Sequence, residues 1–201
     1  MKNKILRLVL FGILVCATSI TSVSAQTSDA EYKVELKKSG KTDQHMFDEG
    51  YILPKDSVQV SPIPYAREKG NQPILYSIER RKKDTKVTFS NPIYFDSQWV
   101  TYGAGFKIID KDSGDEYVVR GYDGGIPFDR LLIVQGFNRK NILVSLLFPK
   151  LNKNVKNIDI IETPNEKDLV PSNDDGKRTA IYNIKVADYL KASKAKTKVY
   201  Y

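Results

Sequence analysis

Trp99-Val-Thr-Tyr-Gly-Ala-Gly-Phe-Lys-Ile-Ile-Asp110, followed by Lys-Asp-Ser-Gly114 and Asp-Glu-Tyr-Val-Val-Arg120, is the centre of a run from Asn91 to Asp159 that reads as short strands joined by turns. Phe106 and Ile108 alternate with Lys107, the pattern of a half-buried strand, and Tyr117 to Val119 resume it beyond a polar turn. Asp112-Ser113-Gly114 supplies residues that tolerate the positive φ of a tight reversal, so the two segments form a hairpin.

The same reading extends on both sides. Ile74, Tyr76 and Ile78 are expected to face one way, with Ser77 and Glu79 facing the other. Arg80-Arg81-Lys82-Lys83-Asp84 makes a charged reversal, and Val87 and Phe89 then alternate with Lys86, Thr88 and Ser90. Downstream, Gly121-Tyr-Asp-Gly-Gly125 is a loop and Leu131 to Val134 a short apolar run. Ile142 to Phe148 is the most apolar strand, and Val155 to Glu162 alternates again with Ile158 and Ile160 on one face. A polar loop from Glu162 to Arg178 precedes a last strand from Thr179 to Val186. Short, regularly spaced strands with few helical periods predict an all-β fold, a single antiparallel β-sandwich of immunoglobulin-like type.

The ends of the chain read differently. In residues 1–25, Lys2, Lys4 and Arg7 precede an apolar run from Leu8 to Val15 that is too short to span a bilayer. Val23-Ser24-Ala25 then offers a signal-peptidase site between Ala25 and Gln26. A retained anchor helix is the other reading, but polar Thr18, Ser19, Thr21 and Ser22 end the apolar run early. Cys16, the only cysteine, follows Leu14 and Val15 rather than the small residues that precede a lipidated cysteine, so an ordinary cleaved signal is expected. Cleavage leaves 176 residues without a thiol, with 29 basic and 24 acidic residues and a formal charge of +5. An exported chain of that size without disulfides must be held by one core.

The expected organisation is therefore a signal peptide over 1–25, a polar and Pro-rich lead-in over 26–72, a sandwich over 73–186 and a basic tail over 187–201. The lead-in holds one candidate strand, Tyr32 to Leu36. Pro54, Pro62, Pro64 and Pro73 make its second half extended and suited to an edge or a covering segment. The tail is a short helix or frayed.

Asp84-Thr-Lys-Val-Thr-Phe89, Trp99, Tyr117-Val-Val-Arg120, Ile142-Leu-Val-Ser-Leu-Leu-Phe-Pro-Lys-Leu151 and Ile158-Asp-Ile-Ile-Glu162 occur in this order. In that order they resemble a β-sandwich module of secreted Bacteroidetes proteins, over about residues 73–186. Some relatives in that group carry the module ahead of a thioredoxin-like redox domain. The resemblance implies a fold and an exported location, not an activity. The chain departs from the redox-fused relatives in having no Cys-x-x-Cys, so neither a second domain nor disulfide exchange is expected.

Chemistry is thinly marked. His45, the sole histidine, lies in the polar lead-in between Gln44 and Met46, where a catalytic triad would be poorly held, and one histidine without thiols leaves no structural zinc set. Asp110 to Glu116 begins like a calcium loop, but its twelfth position is Gly121 rather than a bidentate Glu, so an acidic turn is the better reading. Asp174-Asp175-Gly176 reads as a solvated loop in the same way. Asp96, Asp123 and Asp129 could converge as glycosidase carboxylates, although nothing in their spacing selects them. Trp99, Tyr94, Phe95, Tyr102 and Tyr122 read first as core; if a sugar-stacking platform exists, Tyr102 and Tyr122, beside glycines at strand ends, are its expected members. The Arg80–Lys83 run reads as a solvated hairpin tip rather than an anion site. Asp56-Ser57-Val58 resembles the Asp-Ser/Thr-aliphatic acceptor that exported Bacteroidetes proteins use, making Ser57 a candidate for O-glycosylation.

The functional expectation is an exported, non-catalytic binding or interaction module of the bacterial envelope, without cofactor or metal. Its partner would be an envelope protein or polysaccharide; nucleic acid is not expected, nor is a transmembrane span once the signal is cleaved. The rivals are a carbohydrate-active enzyme using acidic loop residues and a structural subunit that pairs through a sheet edge.

Overall fold

A computed structural model describes residues 48–66, 73–169 and 179–190. In chain order these form β1 (Tyr51–Ile52), a 3-10 turn (Lys55–Ser57), β2 (Ile74–Arg80), β3 (Asp84–Ile93), β4 (Ser97–Val100), β5 (Phe106–Asp110), β6 (Glu116–Val118) and β7 (Gly121–Tyr122). They continue with β8 (Leu132–Gln135), β9 (Lys140–Pro149), β10 (Asn157–Glu162), β11 (Ala180–Lys185) and helix α1 (Val186–Leu190). Ala25 and Gln26, Tyr32 to Leu36, His45, Asp174 to Gly176 and the tail past Leu190 lie outside the described residues.

Two four-stranded antiparallel sheets share one core, as an all-β sandwich requires. One has the order β2-β3-β9-β7, the other β11-β10-β5-β6. β9 is central because Ile142, Val144, Leu146 and Phe148 alternate along it, each 5% exposed or less. Opposite them, β5 contributes Phe106 and Ile108 and β10 contributes Ile158 and Ile160. Phe89 of β3 meets Phe106 edge-on at 6.1 Å between ring centres. Each such side chain adds about 1.5–3 kcal/mol on leaving water, so this layer, rather than any cross-link, holds the domain together.

The β5–β6 hairpin forms where the turn chemistry places it. Both carboxylate oxygens of Asp110 are occupied, one by the Asp112 N–H (3.1 Å) and the other by the Ser113 hydroxyl (2.8 Å), and Gly114 takes φ +78°. The chain then changes sheets within two residues: the Val119 N–H donates to Phe106 O (2.9 Å) and the Arg120 N–H to Leu147 O (2.7 Å).

Two features depart from the sequence expectation. First, β2 does not alternate regularly. Its register to β3 shifts between Leu75 and Ser77, so Leu75 (6% exposed) and Ile78 both enter the core while Ile74 is 38% exposed. The extra residue of this bulge reverses the phase of the strand. Second, a third sheet of order β1-β8-β4 contains a parallel pair, Tyr51 with Leu132 and Ile52 with Ile133, where only antiparallel pairing was expected. The Pro-rich segment runs along a sheet edge, as its prolines suggested, and also adds to the core. Leu53 enters the core, and Gln59 to Ser61 continue the outer edge of β9 that residues 120–123 occupy further along. There Leu143 N–H donates to Gln59 O (2.8 Å) and Ser61 N–H to Asn141 O (2.8 Å).

Candidate functional site

The side of the β2-β3-β9-β7 sheet turned away from the core is built from three cross-strand rows. Val87 and Phe89 point inward, so Lys86, Thr88 and Ser90 point outward. Register then aligns Ser77–Thr88–Ser145, Glu79–Lys86–Leu147 and Ile74–Ser90–Leu143. Tyr76 joins them, because the bulge leaves both Tyr76 and Ser77 between two inward residues, Leu75 and Ile78. Thr88 and Ser145 share a hydrogen bond of 2.9 Å, and Ser90 donates to the Ser61 hydroxyl at 2.8 Å. Ser77, Thr88 and Ser90 are buried although they point away from the core. Tyr76, Leu143 and Leu147 are half-buried.

A charged cluster closes one end of this face. Arg81 donates two hydrogen bonds to Asp123 (2.8 and 2.7 Å), Lys86 stands 3.0 Å from the same carboxylate, and Glu79 lies 3.7 Å from the Arg81 Nε. The hydrogen bonds from Arg81, helped by Lys86, hold the Asp123 carboxyl well below its ordinary range, at about 2, against the opposing effect of partial burial. Asp123 is thus a fixed anion, able to accept hydrogen bonds and unable to donate a proton near neutral pH.

The residues singled out from sequence fall in separate places. Tyr102 and Tyr122 are each only 4% exposed and belong to the core. The Tyr102 hydroxyl donates to Asn91 Oδ1 (2.8 Å), the Tyr122 hydroxyl accepts the Tyr102 N–H (3.2 Å), and the two rings meet edge-on at 6.3 Å. A sugar-stacking ring needs an open face, so neither serves as a platform, and burial pushes both phenols up out of the titratable range. Trp99 is buried on β4, while Phe95 is exposed and Tyr94 packs edge-on against Tyr65. Asp96 sits in the β3–β4 turn, where its carbonyl accepts the Gly136 N–H (2.7 Å); Asp129 lies exposed in the loop before β8. Neither shares the ion-pair cluster of Asp123. Ser57 is exposed on its 3-10 turn and donates to Pro54 O at 2.7 Å.

Two carboxylates that the sequence did not single out do approach each other. A Cβ at Gly103 would stand 2.7 Å from Glu162 Oε1 and 2.8 Å from Asp168 Oδ1. Both acids bind backbone: Asp168 accepts from Ala104 N–H (2.8 Å) and Asn165 N–H (3.0 Å), and Glu162 from Thr179 N–H (3.3 Å). They fasten the loop after β10 across the glycines before β5. The only sequence signal was Gly103-Ala-Gly105, which marks a close backbone approach without identifying what approaches.

Among the described residues, no group of three His, Cys, Asp or Glu side chains could hold a metal ion, and no helix is long and apolar enough to cross a membrane. No protein-family model, curated protein or solved structure matches the chain.

Proposed function

We propose that the chain is an exported, non-catalytic binding module of the bacterial envelope, and that it meets its partner, an envelope protein or polysaccharide, on the outer face of the β2-β3-β9-β7 sheet. One observation carries the reading. The solvent side of an antiparallel sheet ordinarily alternates into charged, well-hydrated residues, whereas this one presents Tyr76, Leu143 and Leu147 around a buried hydroxyl row, with charge gathered at one end. Export is read from Lys2, Lys4 and Arg7, the short apolar run and Val23-Ser24-Ala25. The exposure of Ser57 suits an accessible O-glycosylation acceptor, checked by the intact mass of the protein from its native host.

Edge pairing is less well supported, because three of the sheet edges are blunted. β2 carries a bulge with Glu79 and Arg80, β6 has three residues before the chain changes sheets, and β11 contains Asn183 at φ 58° beside a register shift. A glycosidase reading keeps one specific place, Glu162 and Asp168 at Gly103, since a retaining enzyme needs two carboxylates about 5 Å apart.

The test is cross-linked co-purification of tagged protein from intact envelopes, comparing the parent with Tyr76→Ala/Leu147→Ser. The parent should recover one protein or polysaccharide, and the double variant should lose most of it. Equal recovery by both would rule the face out. Polysaccharide cleavage abolished by Asp168→Asn or Glu162→Gln would replace the binding reading with the enzymatic one.

A further inference from the structure

Pairing between β3 and β9 brings two lysine-bearing turns to one end of the sandwich. Asp84 pairs with Pro149, so the β2–β3 turn, with Lys82 and Lys83, lies beside the β9–β10 turn, with Lys150 and Lys153. The Arg80 guanidinium fastens them together, donating to Lys153 O (2.9 Å) and Val155 O. Arg120, whose N–H binds Leu147 O, adds a fifth cation two residues from the end of β9. Arg81 and Lys86 are neutralised by Asp123 and Glu79. Lys82, Lys83, Lys150, Lys153 and Arg120 are exposed, and among the described residues none of the five forms an ion pair. Of the acids at this end, half-buried Asp84 opens β3 between the two turns, while Asp112 and Asp115 sit on the turn of the other sheet, so positive charge predominates on the β2–β3–β9 side.

Five cations gathered around the single carboxylate of Asp84 repel one another, and an anionic partner relieves that repulsion. We propose that this end docks on a membrane surface through its anionic phosphate headgroups. Three features favour a plane of phosphates over a single anionic polymer. The charges stand on two adjoining turns rather than along one strand. Four of the five are lysines, flexible point charges that do not impose the bidentate geometry of arginine. None of the large exposed apolar residues lies on either turn, so the contact is electrostatic and does not insert into the acyl layer. This surface is independent of the partner proposed for the sheet face, because the Tyr76 and Leu147 side chains carry none of its charge.

The experiment is co-sedimentation of the protein, taken from the exported fraction of cells expressing the full chain, with phosphatidylcholine vesicles containing or lacking phosphatidylglycerol. Binding is expected only with the anionic lipid and should disappear in high salt. Affinity should fall about fivefold for each lysine neutralised, so Lys82→Gln/Lys83→Gln binds about 25-fold more weakly. The control replaces Lys55, Lys140 and Lys167, exposed elsewhere, with Gln and should bind like the parent. Equal binding to both vesicle types would overturn the proposal, as would an equal loss in the control. Retention on dextran sulfate without vesicle binding would assign the end to a soluble polyanion instead and overturn the membrane reading.

Discussion

Arg81 and Asp123 stand 42 residues apart in the chain and meet in a bidentate pair, Nη1 to Oδ1 at 2.8 Å and Nη2 to Oδ2 at 2.7 Å. The pair ties the β2–β3 turn to the strand that has just crossed from the other sheet. Lys86, on the opposite arm of the hairpin, shares the same carboxylate.

This pairing makes stability depend on acid. Asp123 has a folded pKa of about 2, below that of the unfolded chain, so its contribution is complete above about pH 4 and is lost as pH falls toward 2. Because the pair is partly solvated, we expect Asp123→Asn to cost about 1–2 kcal/mol at neutral pH. The variant should also flatten the decline in urea midpoint between pH 4 and 2; an unchanged slope would mean that the pair does not set it.

Gly105 lies under the loop after β10. A Cβ there would fall 1.7 Å from Thr163 O, a backbone atom, whereas at Gly103 it meets only the ends of the Glu162 and Asp168 side chains. Gly105→Ala is therefore expected to destabilise by about 3 kcal/mol or more, and Gly103→Ala by about 1 kcal/mol, in chemical denaturation. Similar costs at the two positions would argue against the close crossing.

The buried phenols give a spectroscopic test. Burial raises the pKa of Tyr102 well above its ordinary value and does the same at Tyr122. Their stabilising contribution is complete below about pH 10 and is lost above it as the unfolded phenols ionise. In an ultraviolet titration, Tyr102→Phe and Tyr122→Phe should leave the first ionisation wave unchanged and reduce only the one that accompanies alkaline unfolding. Tyr102→Phe should also cost about 1–3 kcal/mol, since Asn91 Oδ1 loses its buried donor.

The bulge in β2 predicts an inversion of the simple alternation. Leu75→Ala should cost about 2–4 kcal/mol and Ile74→Ala less than about 1 kcal/mol, read from thermal or urea unfolding. A regular strand would give the reverse order.

The hairpin at Asp112-Ser113-Gly114, the apolar strand through Ile142–Phe148 and the alternation of Ile158 and Ile160 were all legible without coordinates. Each is a local property: a turn needs its own residues, and a strand reveals its faces by period two. The phase of β2 was not legible, because a bulge adds a residue without leaving a mark in the pattern. Tyr102 and Tyr122 beside glycines fit a strand end open to ligand as well as one closed by the core. Only the neighbours Phe89, Phe106 and Asn91 decide between the two.

By itself the sequence determined that this chain is all-β, where its main turns lie and which side chains can form a core, because those follow from periodicity and backbone conformation. Tertiary structure alone decided that Asp123 pairs with Arg81, that Glu162 and Asp168 converge on Gly103, and that Lys82 and Lys83 lie beside Lys150 and Lys153. Such relationships depend on the register between strands far apart in sequence. Register is set by how the whole core closes, and no short segment carries that information.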